Sequence, residues 1–282
     1  MSKILPIVSR GSLLRVGWLE REYTDCVEDA PSFLNELKGE FPSLDIFTFR
    51  QSLSRQTDFK GFKKEPNYFA VIPVTSYDNW FHHQMKKTAR QALKKSFKKG
   101  VTVRSTEYDE AFIQGIYEIL NETPVRQGRP YGHYGKSKEV IEKEFAEDRD
   151  QCTYIGAYFE EELIGFIKLY LKDNYTVPFG MVSKIAHRDK SVQNALISHA
   201  IKVCEEKGKK YFFYGEWLED SLGSFKRHVG CEKQLLFRYY VPLTLKGRLA
   251  VALGLHKGLR NLLPATVKKR TKDVRRKLFF NQ

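Results

Sequence analysis

Two stretches of this chain have the residue types and spacing that chemistry on an anionic substrate needs. The first is the turn Ala186-His187-Arg188-Asp189-Lys190-Ser191, which opens the amphipathic run VQNALISHAIKVCEEKG at Val192. A helix start offers free backbone N–H groups and the positive end of its dipole, so a basic turn at that point suits an anion. The second is NETPVRQGRPYGHYGKSKEV, a long segment dense in prolines, glycines, basic and aromatic residues. Long structured loops of this kind are often binding elements. Guanidinium forks at Arg126 and Arg129 suit a phosphate or carboxylate. Tyr131, His133 and Tyr134 could line an acceptor pocket, with His133 able to act as a general base near neutral pH. The bland alternatives are a solvated cap turn and a surface loop.

The elements that must position these residues follow from periodicity. TYIGAYF and LIGFIKLYL form a hairpin through the acidic turn EEE. FGMVSKIA is the strand that feeds the basic turn, KKYFFYGEW follows the helix, and DSLGSFKRHVG is a short helix before the strand LLFRYYVPL. Upstream, a helix is expected from an N-cap at Asp78 to Lys99, stopped by Gly100, then a strand VTVRST and a helix from Asp109 to Asn121. LLRVGWL, LDIFTFRQ and NYFAVIPV read as strands, with a helix at APSFLNELKGE between the first two. The fold expected is α/β with a mixed sheet.

HRDKSVQNALISHAIKVCEEKGKKYFFYG resembles the cofactor-binding segment of the GNAT acyltransferase superfamily, and SFKRHVGCEKQLLFRYYVPL resembles the end of the same domain. KKTARQALKKSFKKGVTVR is similar to the entry of the FemAB-like branch. The resemblance covers roughly residues 80 to 243 and implies a GNAT-type fold. GNAT enzymes hold the CoA pyrophosphate on an R/Q-x-x-G-x-G/A run. Alignment puts Arg188 on the basic position, with Asp189 and Lys190 following, while Ser191 and Gln193 replace the two glycines. The resemblance also implies backbone N–H groups from Val182 to Lys184 as oxyanion donors, and places Tyr214 and Glu216 at the mouth of a splayed sheet as proton donor and base. Phe225-Lys226 resembles the F-K pair of FemAB-like proteins, whose lysine suits an anionic ligand. Helical spacing places Lys226 itself at the surface.

A chain of 282 residues with 41% apolar and 13% aromatic content can bury a full core. Cys26, Cys152, Cys204 and Cys231 form no C-x-x-C pair, so no metal site is expected. Reduced thiols and a start without a clear signal suggest the cytoplasm, and no apolar run is long enough to span a bilayer. P-loop, Rossmann, G-x-S-x-G and H-E-x-x-H signatures are absent. The net charge of +14 is uneven. Eight basic residues and no acid lie from Lys86 to Arg104, and eleven against one acid, Asp273, from Lys246 onward. Such patches attract polyanions or anionic lipid surfaces.

The organisation expected is an N-terminal sheet extension over residues 1–76, an acyltransferase core over 77–243 and a basic amphipathic helical tail over 244–282. The function implied is transfer of an acyl group from acetyl-CoA or another acyl-CoA to an amine, such as a small molecule or a cell-envelope or polysaccharide precursor. FemAB-like transfer from aminoacyl-tRNA is the second reading. A non-catalytic scaffold bound through its tail to the inner face of an anionic membrane is the third. Sequence-specific nucleic-acid reading is not expected, because aromatics are sparse among the basic positions.

Overall fold

The computed structural model describes residues 5–25, 27 and 29–257. Cys26 and the tail beyond residue 257 lie outside the described residues. In chain order the elements are β1 (Ile7–Arg10), β2 (Val16–Leu19), α1 (Ala30–Glu40), β3 (Ile46–Arg50), β4 (Lys63–Pro73), α2 (Tyr77–Asn79), α3 (Lys87–Lys98), β5 (Thr102–Thr106), α4 (Glu110–Leu120), β6 (Val125–Arg126), β7 (Arg129–Pro130), α5 (Lys138–Ala146), β8 (Cys152–Phe159), β9 (Glu162–Leu171), β10 (Tyr175–Ser183), α6 (Val192–Glu206), β11 (Tyr211–Glu216), α7 (Ser221–His228), β12 (Glu232–Pro242) and α8 (Leu245–Ala252). They make a mixed α/β fold whose chain divides into two compact units, residues 1–67 with 236–282, and residues 68–235.

In the first unit the strand order is β1-β2-β3-β12. β12 returns from the far end of the chain to lie antiparallel to β3, with Tyr239 opposite Phe49. Leu34, Leu37, Phe47, Phe49 and Tyr239 form the core beneath α1.

In the second unit the order is β4-β11-β10-β9-β8-β5. Both faces of its central hairpin are covered, which explains why β8 and β9 read as nearly unbroken apolar runs. Side chains of a strand alternate between faces. Accordingly, Ile155, Ala157, Ile164, Ile167 and Leu169 join the core under α3 and α6. Tyr154, Tyr158, Leu163 and Phe166 join the core under α4 and α5. Gly165 stands where α6 crosses β9. A β-carbon there would lie 2.7 Å from Val192 Cγ1 and 3.2 Å from Leu196 Cδ1, so the helix start rests directly on the strand.

The helix expected from Asp78 to Lys99 is broken. Ser76 caps its first turn, its Oγ accepting from Asn79 N at 3.0 Å. A π-turn follows over Trp80–Gln84, and Met85 is extended. The break leaves carbonyls free, and Arg90 Nη1 donates to three of them, Phe81 O at 3.3 Å, His82 O at 3.0 Å and Met85 O at 2.6 Å. Trp80 is fully buried, with Nε1 donating to Val229 O at 2.8 Å, which fixes the break against the end of α7. One arginine of the basic run thus has a structural task that charge counting does not show.

Gly165→Ala is expected to destabilise the protein by about 1–3 kcal/mol, because the added methyl overpacks the contact between β9 and α6. Urea unfolding measures this directly. A stability equal to that of the parent would mean that α6 is free to lift from the strand.

Candidate functional site

β10 and β11 run parallel, yet they pair only at Tyr175–Tyr211 and Thr176–Phe212. Beyond that point β10 is irregular between Phe179 and Val182 in its pairing with β9. β11 is irregular between Phe213 and Glu216, where Gly215 takes φ +79°. The two strands therefore separate toward their C-terminal ends. A cleft of about 670 Å³ opens there, bounded by Ser183–Ile185, Arg188, the start of α6, the turn of the β6–β7 hairpin, and Ser221 and Phe225 of α7.

The turn into α6 keeps an unusual backbone. Ser191 sits in the left-handed region at φ 53°, ψ 39°, with its N–H bonded to Arg188 O and no side-chain cap bond. Only glycine adopts this conformation without steric cost, and another residue held there costs of order 1–2 kcal/mol. Ser191 therefore preserves the backbone path of a glycine. Asp189 is paired with Lys99 at the end of α3, and that bond leads in holding its carboxyl below the usual range. Lys190 lies 4.3 Å over the Phe159 ring. Arg188 is exposed, lines the cleft, and makes no ion pair or hydrogen bond through its guanidinium among the described residues.

What braces this turn is a residue that the sequence reading did not weigh. Glu122 Oε2 accepts from Ile185 N at 2.7 Å and Oε1 from Ala186 N at 3.0 Å. The same carboxylate pairs with Arg126 at 3.0 Å. Arg126 Nη2 also donates to Ile119 O at 2.8 Å, and Nη1 to Ser183 O at 2.9 Å. Arg126 reaches the cleft, but its fork is occupied by protein groups rather than free to clamp a ligand. The i, i+4 spacing of Glu122 and Arg126 was the available signal. The contact that matters, with a strand end more than sixty residues away, leaves no local pattern.

The rest of that loop lies elsewhere. Gln127 at φ 53° and Gly128 at φ 71° make the two-residue hairpin turn. Arg129 is exposed, and so is Tyr134 at 47%. The Tyr131 ring lies 4.9 Å from the Arg126 guanidinium and packs on the core beneath α4 and α5. Burial pushes its hydroxyl pKa up. His133 Nδ1 is 3.3 Å from Lys136 Nζ and 3.7 Å from Glu144, outside the cleft lining. Burial leads in lowering its pKa.

Lys226 is not at the surface. It is 5% exposed, and its Nζ donates to Tyr214 O and Glu216 O, each at 2.8 Å. Those carbonyls lie where the pairing of β11 with β4 is irregular, and the lysine bonds both. Desolvation lowers its pKa. Tyr214 OH points to Met181 Sδ at 3.8 Å, and burial raises its pKa. Glu216 is exposed.

Of the backbone N–H groups from Val182 to Lys184, two face β9 and one does not. Lys184 N is bonded to Ile164 O at 2.8 Å, and its Nζ pairs with Glu162 and Glu118. Val182 pairs with Phe166 and does not line the cleft. Backbone groups alternate sides along an antiparallel strand. Ser183 therefore turns its N–H away from β9, on the side where its carbonyl meets Arg126. Among the described residues no group of three or more His, Cys, Asp or Glu side chains is placed to hold a metal ion.

A sheet split between parallel strands, a helix start over the split and a basic turn between them can be set beside known proteins. Residues 113–228 match the acetyltransferase (GNAT) family. Over that segment the chain is similar to the GNAT acetyltransferase family. Solved structures agree over most of the chain. FemX superposes with a TM-score of 0.57 at 13% identity, covering 87% of this chain and 85% of that one. The C-terminal domain of a lysylphosphatidylglycerol synthetase from Agrobacterium fabrum gives 0.56 at 13% identity, covering 88% and 84%. L-PGS from Bacillus licheniformis gives 0.55 at 14%, covering 88% and 84%. At these identities the likeness is one of fold. Among curated proteins no sequence matches.

Glu122→Ala removes the acceptor of two backbone N–H groups and strands Arg126, so a loss of about 2–4 kcal/mol in urea unfolding is expected. Glu122→Gln, which keeps an acceptor oxygen, should lose less. Equal losses in the two variants would mean that the carboxylate charge alone matters.

Proposed function

We propose that this GNAT-fold domain is an N-acyltransferase that moves an acyl group from acyl-CoA to an amine, with a small-molecule or cell-envelope precursor as acceptor. The observation that carries the reading is the cleft at the start of α6, where Arg188 makes no ion pair among the described residues and Ser191 takes a left-handed backbone that favours glycine. The residues present fit a pyrophosphate. Arg188 supplies the charge, the first turn of α6 supplies N–H donors, and Ser183, Ser221 and Asn194 add polar groups to the wall. The replacement of glycine by Ser191 and Gln193 adds side chains without altering the path of the turn.

In this reading the amine nitrogen attacks the thioester carbonyl, forming the N–acyl bond as the carbon–sulfur bond breaks. The Ser183 N–H meets the developing oxyanion. Glu216, exposed at the end of β11, takes the ammonium proton through water. Tyr214, kept protonated by burial, turns its hydroxyl from Met181 Sδ to the departing sulfur, which takes, through solvent, the proton that the attacking nitrogen releases. The base is placed at Glu216 rather than His133, which packs against Lys136 and Glu144. Lys226 holds the end of β11 in place for both.

A second donor is favoured by a separate observation. Lys86, Lys87, Lys95 and Lys98 on and beside α3 form no ion pair among the described residues, and α3 is tied to the cofactor turn through Lys99 and Asp189. That face suits the phosphates of an aminoacyl-tRNA, the donor of the runner-up reading. No helix among the described residues is long and apolar enough to cross a membrane. The location proposed is the cytoplasm, with attachment at the inner face of the membrane.

Calorimetric titration with acetyl-CoA and with free CoA tests the reading. Saturable micromolar binding is expected, weakened at least tenfold in Arg188→Ala with the thermal midpoint unchanged. Absence of binding to either molecule, together with binding of charged tRNA, would replace the donor. Absence of all three would overturn the reading.

A further inference from the structure

The helix α8 of the first unit has an exposed apolar face. Leu245, Leu249 and Leu253, spaced i, i+4, i+8, are 81%, 62% and 59% exposed. Single exposed leucines are ordinary, but three in one stripe on and just past an eight-residue helix need a partner. The opposite side of α8 is buried through Gly247 and Ala250. Gly247 is packed so closely that a β-carbon there would lie 2.0 Å from Asp45 O.

The helix is held in this orientation by one buried carboxylate. Asp45 accepts from Thr244 Oγ1 at 2.8 Å, from Arg15 N at 2.9 Å and from Lys246 Nζ at 2.8 Å. Its own carbonyl accepts from Leu243 N at 2.8 Å. Burial works against the Asp45 charge, but these bonds outweigh it and hold its pKa below the ordinary value. Thr244 also caps α8 by accepting from Gly247 N at 3.0 Å. The leucine stripe is therefore presented by a helix fixed from below, rather than one that must fold on contact.

Helical spacing at 100° per residue puts Lys246 on one flank of the stripe and Arg248 on the other. Both are exposed, Lys246 at 58% even while paired with Asp45. From Lys246 onward the sequence carries eleven basic residues against one acid. An apolar stripe between basic flanks is complementary to a surface with anionic headgroups over acyl chains, where leucines enter the boundary and the basic groups meet phosphate.

We propose that α8 is a preformed docking element for an anionic lipid surface, inserting Leu245, Leu249 and Leu253. It is independent of the reaction chemistry, so lipid binding and acetyl-CoA binding succeed or fail separately.

The test is co-sedimentation of the full chain with phosphatidylcholine vesicles and with phosphatidylcholine–phosphatidylglycerol vesicles, at low and physiological salt. Binding is expected only to the anionic vesicles, with salt weakening it. The variant Leu245→Ser/Leu249→Ser/Leu253→Ser changes only exposed side chains. It should fold normally and bind at least tenfold more weakly. Undiminished binding by that variant would overturn the proposal and assign attachment to charge alone. Absence of binding by the parent chain would also overturn it. A leucine-dependent dimer in sedimentation velocity, with no leucine effect on vesicles, would assign the stripe to a second copy of the chain and overturn it as well.

Discussion

The Glu122 carboxylate, taking the N–H groups of Ile185 and Ala186 while paired with Arg126, sets the geometry on which the cleft depends. Where a strand turns away from its sheet, its backbone groups lose their partners, and a buried amide without one costs on the order of 1–3 kcal/mol. β10 does turn away, because its parallel pairing with β11 ends after two residues. Glu122 answers the donors at that end and Arg126 answers the carbonyl of Ser183. The first turn of α6 can then face a cleft instead of being covered.

The same logic recurs on the other side of the split. β11 is irregular between Phe213 and Glu216, and Lys226 reaches in from α7 to the carbonyls of Tyr214 and Glu216. Each arm of the opening is thus stabilised by a charged side chain from an element outside the sheet. This explains why charge appears in places where helical periodicity alone expects solvent. It also separates Arg188, which has no such duty, from Arg126 and Lys226, which do. Among the described residues the Arg188 guanidinium makes no ion pair, and it lines the cleft.

Much of the second unit was readable in its sequence. The β8–β9 hairpin, β10, α6, β11 and α7 follow from runs of apolar residues between turn signals, because each element buries a face whose period shows in its own sequence. The mixed α/β sheet followed from the same runs. The break between Trp80 and Met85 was not readable, since Arg90 and the Val229 carbonyl, which stabilise it, act across space. Lys226 was placed at the surface because an amphipathic count treats lysine as polar and cannot see an unpaired carbonyl beneath it. Arg126 was assigned to a ligand for a similar reason. Its partners Ser183 and Ile119 are backbone groups, and no side-chain pattern announces them. The left-handed Ser191 was hidden by its type, because the turn keeps a glycine's path without a glycine.

The central claim is that the start of α6, with Arg188 beside it, receives the phosphates of an acyl-CoA donor. Amide hydrogen exchange with and without CoA measures this at the residues concerned. The account predicts slowed exchange at residues 188–194 and at Ser183 when CoA is added, with the far end of α6 unchanged. Exchange that is unaltered at 188–194 while CoA is bound, or protection confined to another surface, would contradict it.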